Sequence, residues 1–288
     1  MAGEYLCNLV IPGAAKSGTT SLHEYLSLHP QIAMSSNKEP HYFCREDFYA
    51  QGPEFHNGLF EEASQIRYYG ESSTGYLPSP LAIENIRRDL KDPKIIMVLR
   101  HPVERSFSHY RWRFRLGLEK RTFLQAMQDD GYGYVPQQPD NFGYKAYLEF
   151  SQYAKTCPAW EDVFGSANCL ILRFADLTKN RASVLGRCFD FLGLPRIELG
   201  LDDAPHNKTD DVIRRAAPTP NPLTRLVPKA VKQAALYQSL KQNVLRASTP
   251  TPPKRMTSEE RQFAENALGQ DIDWFNARFA SAPELADE

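Results

Sequence analysis

One segment near the N-terminus, PGAAKSGTTSL (12–22), has a composition suited to holding an anion. Its candidate ligands are a lysine, a glycine and three hydroxyl side chains: Lys16, Ser17, Gly18, Thr19 and Thr20. The small residues allow a backbone to approach a ligand closely, and the lysine adds a positive charge. If a helix begins here, its first N–H groups and the positive end of its dipole also face the ligand. The segment therefore predicts a phosphate or sulfate site, with an ordinary turn and a surface lysine as the alternative.

A second basic segment, LRHPVERSFSHYRW (99–112), follows a different apolar run. Arg100 stands at the end of that run, and Pro102 favours the start of a helix directly after it. We expect Arg100 and the helical hydroxyl of Ser108 to face one crevice and to bind a second phosphate. The alternative is that the segment is the basic, solvent-exposed face of a helix.

The order of residues in these two segments argues against a metal-dependent nucleoside triphosphatase. Such an enzyme requires GxxxxGK[ST], whereas Gly18 is followed here by Thr19 and the lysine comes first. The second apolar run ends in Arg100, where an NTPase usually places an aspartate for magnesium. No metal ion is therefore expected, and two anion sites predict a ligand with two separate anionic groups.

A third segment, NKEPHYF (37–43), offers two candidates for a general base, Glu39 and His41. Group transfer to a hydroxyl requires the acceptor to lose its proton, and a positioned base typically contributes ~10²–10⁴-fold to the rate. In the alternative interpretations, Glu39 is a solvated residue of a turn and His41 packs beside Tyr42 and Phe43. The residues alone leave both interpretations open.

Three apolar runs predict the strands that hold these segments, over 6–11, 94–100 and 168–174. A helical pattern follows each run. This alternation predicts an α/β fold with a central, mainly parallel β-sheet covered by helices on both faces. Ligands of such sheets bind outside the carboxyl ends of the strands, which is where both anion segments are expected.

The composition of the whole chain limits its partners. The 288 residues suffice for one large α/β domain, and 34 basic residues nearly balance 35 acidic ones. The net charge of −1 gives no general reason to expect nucleic acid or an anionic membrane as a partner. No stretch approaches the ~20 apolar residues of a membrane span, and the N-terminus lacks a signal-peptide pattern, so we expect a soluble, cytoplasmic protein. Five widely spaced cysteines predict reduced, mostly buried thiols.

The first two segments together resemble the nucleotide-binding motifs of sulfotransferases that use 3′-phosphoadenosine 5′-phosphosulfate (PAPS). PGAAKSGTTSL resembles their 5′-phosphosulfate loop, and RHPVERSFSHY (100–110) resembles their 3′-phosphate motif. Four further stretches are similar to the bacterial and heparan-sulfate-type branch of this family: SLHPQI, NKEPHYF, GESSTGYL and LILRFADLTKNRASVLGRCFDFLGLP. The resemblance covers residues 6–195.

This resemblance implies a P-loop-like, three-layer fold and transfer of a sulfuryl group from PAPS to a hydroxyl or amine. Adenosine 3′,5′-bisphosphate is then the product, and no metal is required. The resemblance assigns Lys16 to the bridging oxygen of the donor, residues 17–20 to the 5′-phosphate, and Arg100 and Ser108 to the 3′-phosphate. In PPKRM, Lys254 and Arg255 resemble a basic loop that closes over the 3′-phosphate in the heparan-type enzymes.

The family uses two kinds of base. The heparan-sulfate-type motif makes Glu39 the first choice, whereas the small-molecule cytosolic enzymes use a histidine. The chain departs from the family pattern in GESSTGYL (70–77), where a lysine often follows the glutamate and Ser72 stands here. A second lysine contact is therefore not predicted, and the remaining candidates for lining the acceptor cleft are Glu71, Ser72, Ser73 and Tyr76.

We expect the chain to form a single sulfotransferase domain. Its expected parts are a core at about 6–195, a peripheral lid or acceptor-binding segment at about 205–255 and a C-terminal helix at about 257–279. Contacts with the acceptor are expected from variable loops at 44–66, 130–143 and 205–255.

The leading interpretation is a PAPS-dependent sulfotransferase that acts on a carbohydrate or another hydroxylated metabolite, with Glu39 as the base. One alternative is a metal-dependent nucleotide kinase, which the missing GK[ST] order opposes. The other is a protein with this fold that binds PAPS but has lost the chemistry, which the presence of both Lys16 and Glu39 opposes.

Overall fold

The computed structural model describes residues 4–129, 146–197 and 251–280, and elements are numbered along those residues. In this part of the chain, five parallel strands form one sheet in the order β2-β3-β1-β4-β5. The strands are β1 (Leu9–Gly13), β2 (Ile32–Met34), β3 (Tyr68–Ser72), β4 (Lys94–Leu99) and β5 (Cys169–Arg173). β1 is the central strand: β2 and β3 lie on one side of it, and β4 and β5 lie on the other. The carboxyl end of β1 is therefore the point where the strand order reverses.

Helices connect and follow these strands. They are α1 (Thr19–Leu26), α2 (Glu46–Tyr49), α3 (Gly52–Asn57), α4 (Pro80–Asp89), α5 (Pro102–Arg115), α6 (Phe123–Gln128), α7 (Tyr153–Phe164), α8 (Phe174–Lys179), α9 (Arg181–Phe191), α10 (Ser258–Ala267) and α11 (Gly269–Phe279).

The sheet is covered on both faces, because successive side chains of a strand point in opposite directions. Ile95 and Met97 of β4 pack in one apolar cluster with side chains of α4, α7 and α11. Ile96 and Val98, the alternate residues of the same strand, pack in a second cluster with α1 and α9. This three-layer arrangement confirms the α/β fold with a central parallel sheet that the sequence predicts.

Two of the five strands are not predicted by the sequence. β2 has only three residues, and β3 ends in the polar pair Glu71 and Ser72, so neither forms a recognisable apolar run. β3 is a strand because it pairs with β1 on one side and with β2 on the other. The predicted run at 6–11 also begins too early, since β1 starts at Leu9.

The helix predicted at 257–279 consists of two helices. Thr257 and Glu260 form a capping box that starts α10. The break occurs at the buried Leu268, and Gly269, a weak helix former, begins α11. Residues 205–250 of the predicted lid or acceptor segment lie outside the described residues.

The five cysteines are buried free thiols, as predicted. Among the described helices, none combines the length and the apolar character needed to cross a lipid bilayer.

Candidate functional site

The loop between β1 and α1 lies at the carboxyl edge of the sheet. The first residue of the loop is hydrogen-bonded to β4, because the Ala14 N–H donates to the Val98 carbonyl at 2.8 Å. Gly18 precedes α1 in a left-handed conformation with a φ of 84°, and a Cβ atom there would lie 2.9 Å from the Phe174 ring. Glycine therefore lets the helix begin against the end of β5. The first N–H groups of α1 have no acceptor within the helix and are suited to an anion.

Lys16 supplies a positive charge in this loop. Its Nζ lies 5.0 Å from the centroid of the Trp112 ring on α5. Burial lowers the pKa of Lys16 to about 8, assisted by the positive charges of Arg100 and Lys38 and opposed by the Glu39 carboxylate. An ammonium group surrounded by other cations gains from an incoming anion more than a solvated lysine does.

The hydroxyl groups of the loop differ in exposure. Ser17 and Thr19 are buried, and Thr20 is partly exposed. In the described part of the chain, the buried hydroxyls of Ser17 and Tyr153 both lack a hydrogen-bond partner. Burial raises the pKa of Tyr153, and the positive charge of Arg105 opposes this rise. Thr20 is therefore the most accessible of the three hydroxyls predicted to face the 5′-phosphate.

The predicted 3′-phosphate residues lie at the end of β4 and in the second turn of α5. The guanidinium carbon of Arg100 lies 5.3 Å from the centroid of the Phe174 ring, which also packs against Gly18. The two anion segments therefore meet at Phe174. Within the described ranges, neither the Arg100 guanidinium nor the Ser108 hydroxyl forms a hydrogen bond. Burial lowers the pKa of Arg100, so this cation also gains from an anion.

The segment NKEPHYF (37–43), called the Glu39 loop below, is hydrogen-bonded to the end of β3 and to the turn after it. The Glu39 N–H donates to the Ser72 carbonyl at 2.9 Å, and the His41 N–H donates to the Ser73 hydroxyl at 3.0 Å. The Thr74 N–H donates to Glu39 Oε2 at 2.7 Å, and the Thr74 hydroxyl donates to the same oxygen at 3.1 Å. The backbone and the carboxylate of Glu39 are thus both hydrogen-bonded to the same short segment, Ser72 to Thr74.

The Glu39 carboxylate is ionised and accessible. Lys38 Nζ lies 2.6 Å from Oε1, His41 Nε2 lies 3.6 Å from Oε2, and the Glu39 side chain is 30% exposed. Burial raises the pKa of Glu39, but the Lys38 ammonium, the nearby His41 and the Thr74 N–H together lower it by more, so the net direction is downward. The group is therefore in its basic form at neutral pH.

His41 is much less accessible, since its side chain is 5% exposed. Its Nδ1 lies 3.9 Å from Cys44 Sγ. Burial lowers the pKa of His41, and the nearby Glu39 carboxylate only partly offsets this. The imidazole is consequently neutral at pH 7 and packs behind the carboxylate.

Backbone strain is concentrated at the predicted catalytic residues. Among the described residues, four side-chain-bearing positions have a positive φ, and three of them are Lys16 (68°), Glu39 (62°) and His41 (53°). Such conformations cost roughly 1–3 kcal/mol each and occur preferentially at functional sites. The strain supports these three residues as the centre of the site.

Two residues of the site, Lys38 and His23, were not predicted, whereas Trp112 belongs to the aromatic and basic run YRWRFR (110–115), which the sequence makes a candidate for stacking on a sugar or adenine. Lys38 directly precedes Glu39, and its neighbouring position is the signal that would have found it. Trp112 follows Ser108 by four residues, a spacing that puts both on one face of α5. His23 Nδ1 lies 2.9 Å from the Ser72 hydroxyl, and no sequence signal indicates this buried contact.

The expectation that Glu71, Ser72, Ser73 and Tyr76 line the acceptor cleft is wrong. All four are fully buried, because β3 lies inside the sheet with helices on both faces. Glu71 accepts a hydrogen bond from Tyr76 at 3.0 Å and lies 3.1 Å from His56 Nε2, while Ser72 contacts His23. These residues support the Glu39 loop from below.

Lys254 and Arg255 are exposed. The next residue, Met256, packs against the cluster that contains Val103 and Phe107 of α5. The basic pair therefore directly precedes a residue that packs on the cluster to which α5 contributes, and its closure over a phosphate stays a prediction.

The comparison with protein families gives a match over most of the chain, because a model described as "Sulfotransferase domain" matches residues 7–212. The chain belongs to the sulfotransferase family. The resemblance seen in the sequence motifs is thereby confirmed. The matched range of this sulfotransferase contains Lys16, Glu39, Arg100 and Ser108 and ends before Lys254.

Individual sulfotransferases are similar over shorter parts. The "Membrane-associated sulfotransferase kil1" of Dictyostelium discoideum is 41% identical over 113 residues, which is 38% of this chain and 24% of that protein. The "Heparan sulfate glucosamine 3-O-sulfotransferase 6" of Mus musculus is 29% identical over 188 residues, 65% of this chain and 52% of that protein. The alignments thus span between a quarter and about half of these relatives.

A solved structure also supports membership of the sulfotransferase family. The "Sulfotransferase from Alicyclobacillus acidocaldarius" has a TM-score of 0.60 and 26% sequence identity, with 73% of this chain and 90% of that chain covered.

Proposed function

We propose that this sulfotransferase transfers a sulfuryl group from PAPS to the hydroxyl of a carbohydrate or another hydroxylated metabolite. The observation that carries the proposal is that two residues of opposite charge, Lys16 and Glu39, both have a positive φ in loops at the same edge of the sheet. The Glu39 carboxylate also acts on the pKa of Lys16, which it raises against the larger lowering by burial.

The residues at the carboxyl edge of the sheet suit a ligand with two anionic groups. Lys16 and the N-terminus of α1 offer one site, and Arg100 with Ser108 offers the other. PAPS carries a 5′-phosphosulfate and a 3′-phosphate, which match these two sites in charge. Lys16, residues 17–20, Arg100 and Ser108 would hold the donor, and Lys254 and Arg255 would cover its 3′-phosphate.

In the proposed reaction, a bond forms between the acceptor oxygen and sulfur while the bond from sulfur to the 5′-phosphate oxygen breaks. The electron pair of the broken bond stays on the phosphate oxygen, where Lys16 stabilises the developing charge. The acceptor proton passes to the Glu39 carboxylate. The chain thus contributes mainly positioning and electrostatic stabilisation, as enzymes of phosphoryl transfer do.

Accessibility favours Glu39 over His41 as the base. The Glu39 side chain is 30% exposed and the His41 side chain 5%, so an acceptor from solvent reaches the carboxylate first. His41 then acts behind Glu39, where it helps to hold the carboxylate in place.

A carbohydrate acceptor is supported by several relatives named as heparan sulfate glucosamine 3-O-sulfotransferases. The predicted cytoplasmic location and the predicted absence of a metal requirement stay predictions.

The test is incubation of the purified chain with labelled PAPS, without magnesium and with a chelator, together with fractionated glycans, lipids and small metabolites. Mass spectrometry should detect at least one sulfated product, and a Lys16→Ala chain should serve as the inactive control. Binding of adenosine 3′,5′-bisphosphate without any sulfated product would indicate a binding protein that has lost the chemistry. Magnesium-dependent phosphoryl transfer from ATP would indicate a nucleotide kinase instead.

A further inference from the structure

A third cation lies beside the two residues predicted to hold the 3′-phosphate. Arg111 follows Ser108 by three residues on α5, a spacing that makes them neighbours on one face of the helix. Its guanidinium carbon lies 5.8 Å from the centroid of the Phe107 ring, one turn earlier. The side chain therefore runs back towards the start of α5, as long helical side chains do, and brings its charge to the level of Ser108.

This guanidinium has no built-in anionic partner among the described residues. Arg111 Nε is buried and has no hydrogen-bond partner within those ranges. The acidic residue on this part of α5 is Glu104, and its carboxylate is paired with Arg261 of α10 at 3.0 Å. Arg111 also adds to the positive charge around Arg100, whose pKa is lowered first by burial and further by Arg111. The Glu104 carboxylate acts on the pKa of Arg100 in the opposite direction. Arg100 and Arg111 are both partly buried, and within the described ranges neither forms an ion pair with a carboxylate.

We propose that Arg111 is a third side-chain ligand of the donor's 3′-phosphate, together with Arg100 and Ser108. The inference rests on the proposed function, since it assumes that the donor is PAPS. A phosphate between the two guanidinium groups relieves their repulsion and satisfies the buried Nε donor. Arginine suits this position because its planar fork can give a phosphate two parallel hydrogen bonds.

The test compares two nucleotides that differ only in the 3′-phosphate: adenosine 3′,5′-bisphosphate and adenosine 5′-monophosphate. Calorimetry is carried out on the wild type and on Arg111→Met, which removes the charge and keeps an unbranched stem over Phe107. The bisphosphate should bind about tenfold more weakly to the variant, a loss of about 1.4 kcal/mol, while the monophosphate should bind within about twofold of the wild type.

The control variant is Arg115→Met, one turn further along α5, which should change both affinities by less than about twofold. Arg111→Lys keeps the charge without the planar fork, so its bisphosphate affinity should lie between those of the wild type and Arg111→Met. It also provides a variant closer to the native side chain if Arg111→Met folds poorly.

Three results would overturn the inference. The first is unchanged bisphosphate affinity in both Arg111 variants, and the second is an equal loss for the two nucleotides. Either result leaves the proposed sulfotransferase intact. The third, a wild type that does not bind the bisphosphate, overturns the proposed function and this inference with it.

Discussion

Individual side chains at the site carry charges that the protein only partly neutralises. The Lys16 ammonium is surrounded by other cations, whereas the Glu39 carboxylate has Lys38 at 2.6 Å. The first arrangement favours an anionic ligand, and the second keeps a carboxylate deprotonated. Replacing Lys16 should therefore affect the anionic donor, whereas replacing Glu39 should affect the removal of the acceptor proton.

Replacing Lys16 by alanine should abolish transfer and leave the fold intact, because the side chain serves the leaving group and lies in a loop. The turnover number at saturating donor should fall below about a tenth of the wild-type value, which corresponds to at least ~1.4 kcal/mol. Lys120→Ala, at an exposed site, is the control. A Lys16→Ala enzyme that keeps more than that tenth would remove the proposed role.

The lowered pKa of Lys16 also predicts a pH dependence. Because burial and neighbouring cations bring this pKa to about 8, the free enzyme loses the charge as the pH rises through that value. The kcat/KM for the donor should therefore fall above about pH 8, since this parameter reports groups of the free enzyme. A profile that stays flat to pH 9.5 would contradict this.

Replacing Arg100 or Ser108 by alanine should weaken the binding of adenosine 3′,5′-bisphosphate, and Arg100→Ala should have the larger effect. A charge-assisted hydrogen bond is roughly twice as strong as a neutral one. Calorimetry measures both affinities. The assignment fails if both variants bind the bisphosphate normally, or if adenosine 5′-phosphosulfate, which lacks the 3′-phosphate, binds the wild type equally well.

Replacing Glu39 by glutamine keeps the shape and most of the hydrogen bonding to Thr74 but removes the basicity. Turnover should fall at least ~10²-fold with donor affinity nearly unchanged, and His41→Ala should cost less. The acidic limb of the pH–rate profile discriminates poorly here, because the pKa values of both Glu39 and His41 are lowered. Near-normal turnover in Glu39→Gln with collapse in His41→Ala would transfer the role to the histidine.

At the scale of elements, the carboxyl ends of the five strands bring the loops together. The β1–α1 loop packs on Phe174 at the end of β5, and the Glu39 loop after β2 is hydrogen-bonded to the end of β3. Arg100 follows β4 and contacts the same phenyl ring. Loop residues far apart in sequence are therefore positioned by one rigid sheet edge.

Gly18→Ala tests this packing. Its φ of 84° and the 2.9 Å approach of a Cβ to Phe174 should together destabilise the protein by roughly 1–3 kcal/mol and weaken bisphosphate binding. Gly117→Ala is the control, because its φ is also positive, at 73°, and nothing lies within 4 Å of its Cβ. Equal unfolding free energies and equal bisphosphate affinities in the two variants would show that contact with Phe174 has no role.

At the scale of the whole molecule, burial of histidines makes stability depend on pH. Burial lowers the pKa of His23 to about 4 and also lowers those of His41 and His109. These histidines have ordinary pKa values near ~6.5 in the unfolded chain. Between these values the unfolded state binds more protons than the folded state, so stability is fully present above about pH 6.5 and declines towards pH 4.

The free energy of unfolding should accordingly fall between pH 7 and pH 5, by up to ~1.4 kcal/mol per pH unit for each buried imidazole. Denaturant titrations at a series of pH values measure it. His23→Leu should flatten the slope. A free energy of unfolding that is constant or rises as the pH is lowered over this range would contradict the prediction.

Much of this protein follows from local patterns in its sequence. The apolar runs of β4 and β5 are continuous and buried, so they predict strands, and the alternation with helices predicts the α/β class. The β1–α1 loop and the Arg100–Ser108 segment are each contiguous in sequence, and their residue types already predict anion binding. Glu39 and His41 are recognisable as base candidates for the same reason.

The tertiary structure decides what depends on contacts between distant segments. β3 is a strand because of its neighbours, and its polar end is buried under the Glu39 loop, which excludes Glu71 and Tyr76 from the acceptor cleft. The resemblance to the heparan-sulfate-type motif already ranks Glu39 above His41, but the difference in exposure that supports this ranking is a property that no local pattern contains. The approach of Trp112 to Lys16 likewise arises only when α5 packs beside the strand ends, since nearly a hundred residues separate the two along the chain. The sequence thus predicts which residues are candidates for the site, whereas folding determines which of them are buried and which lie close together.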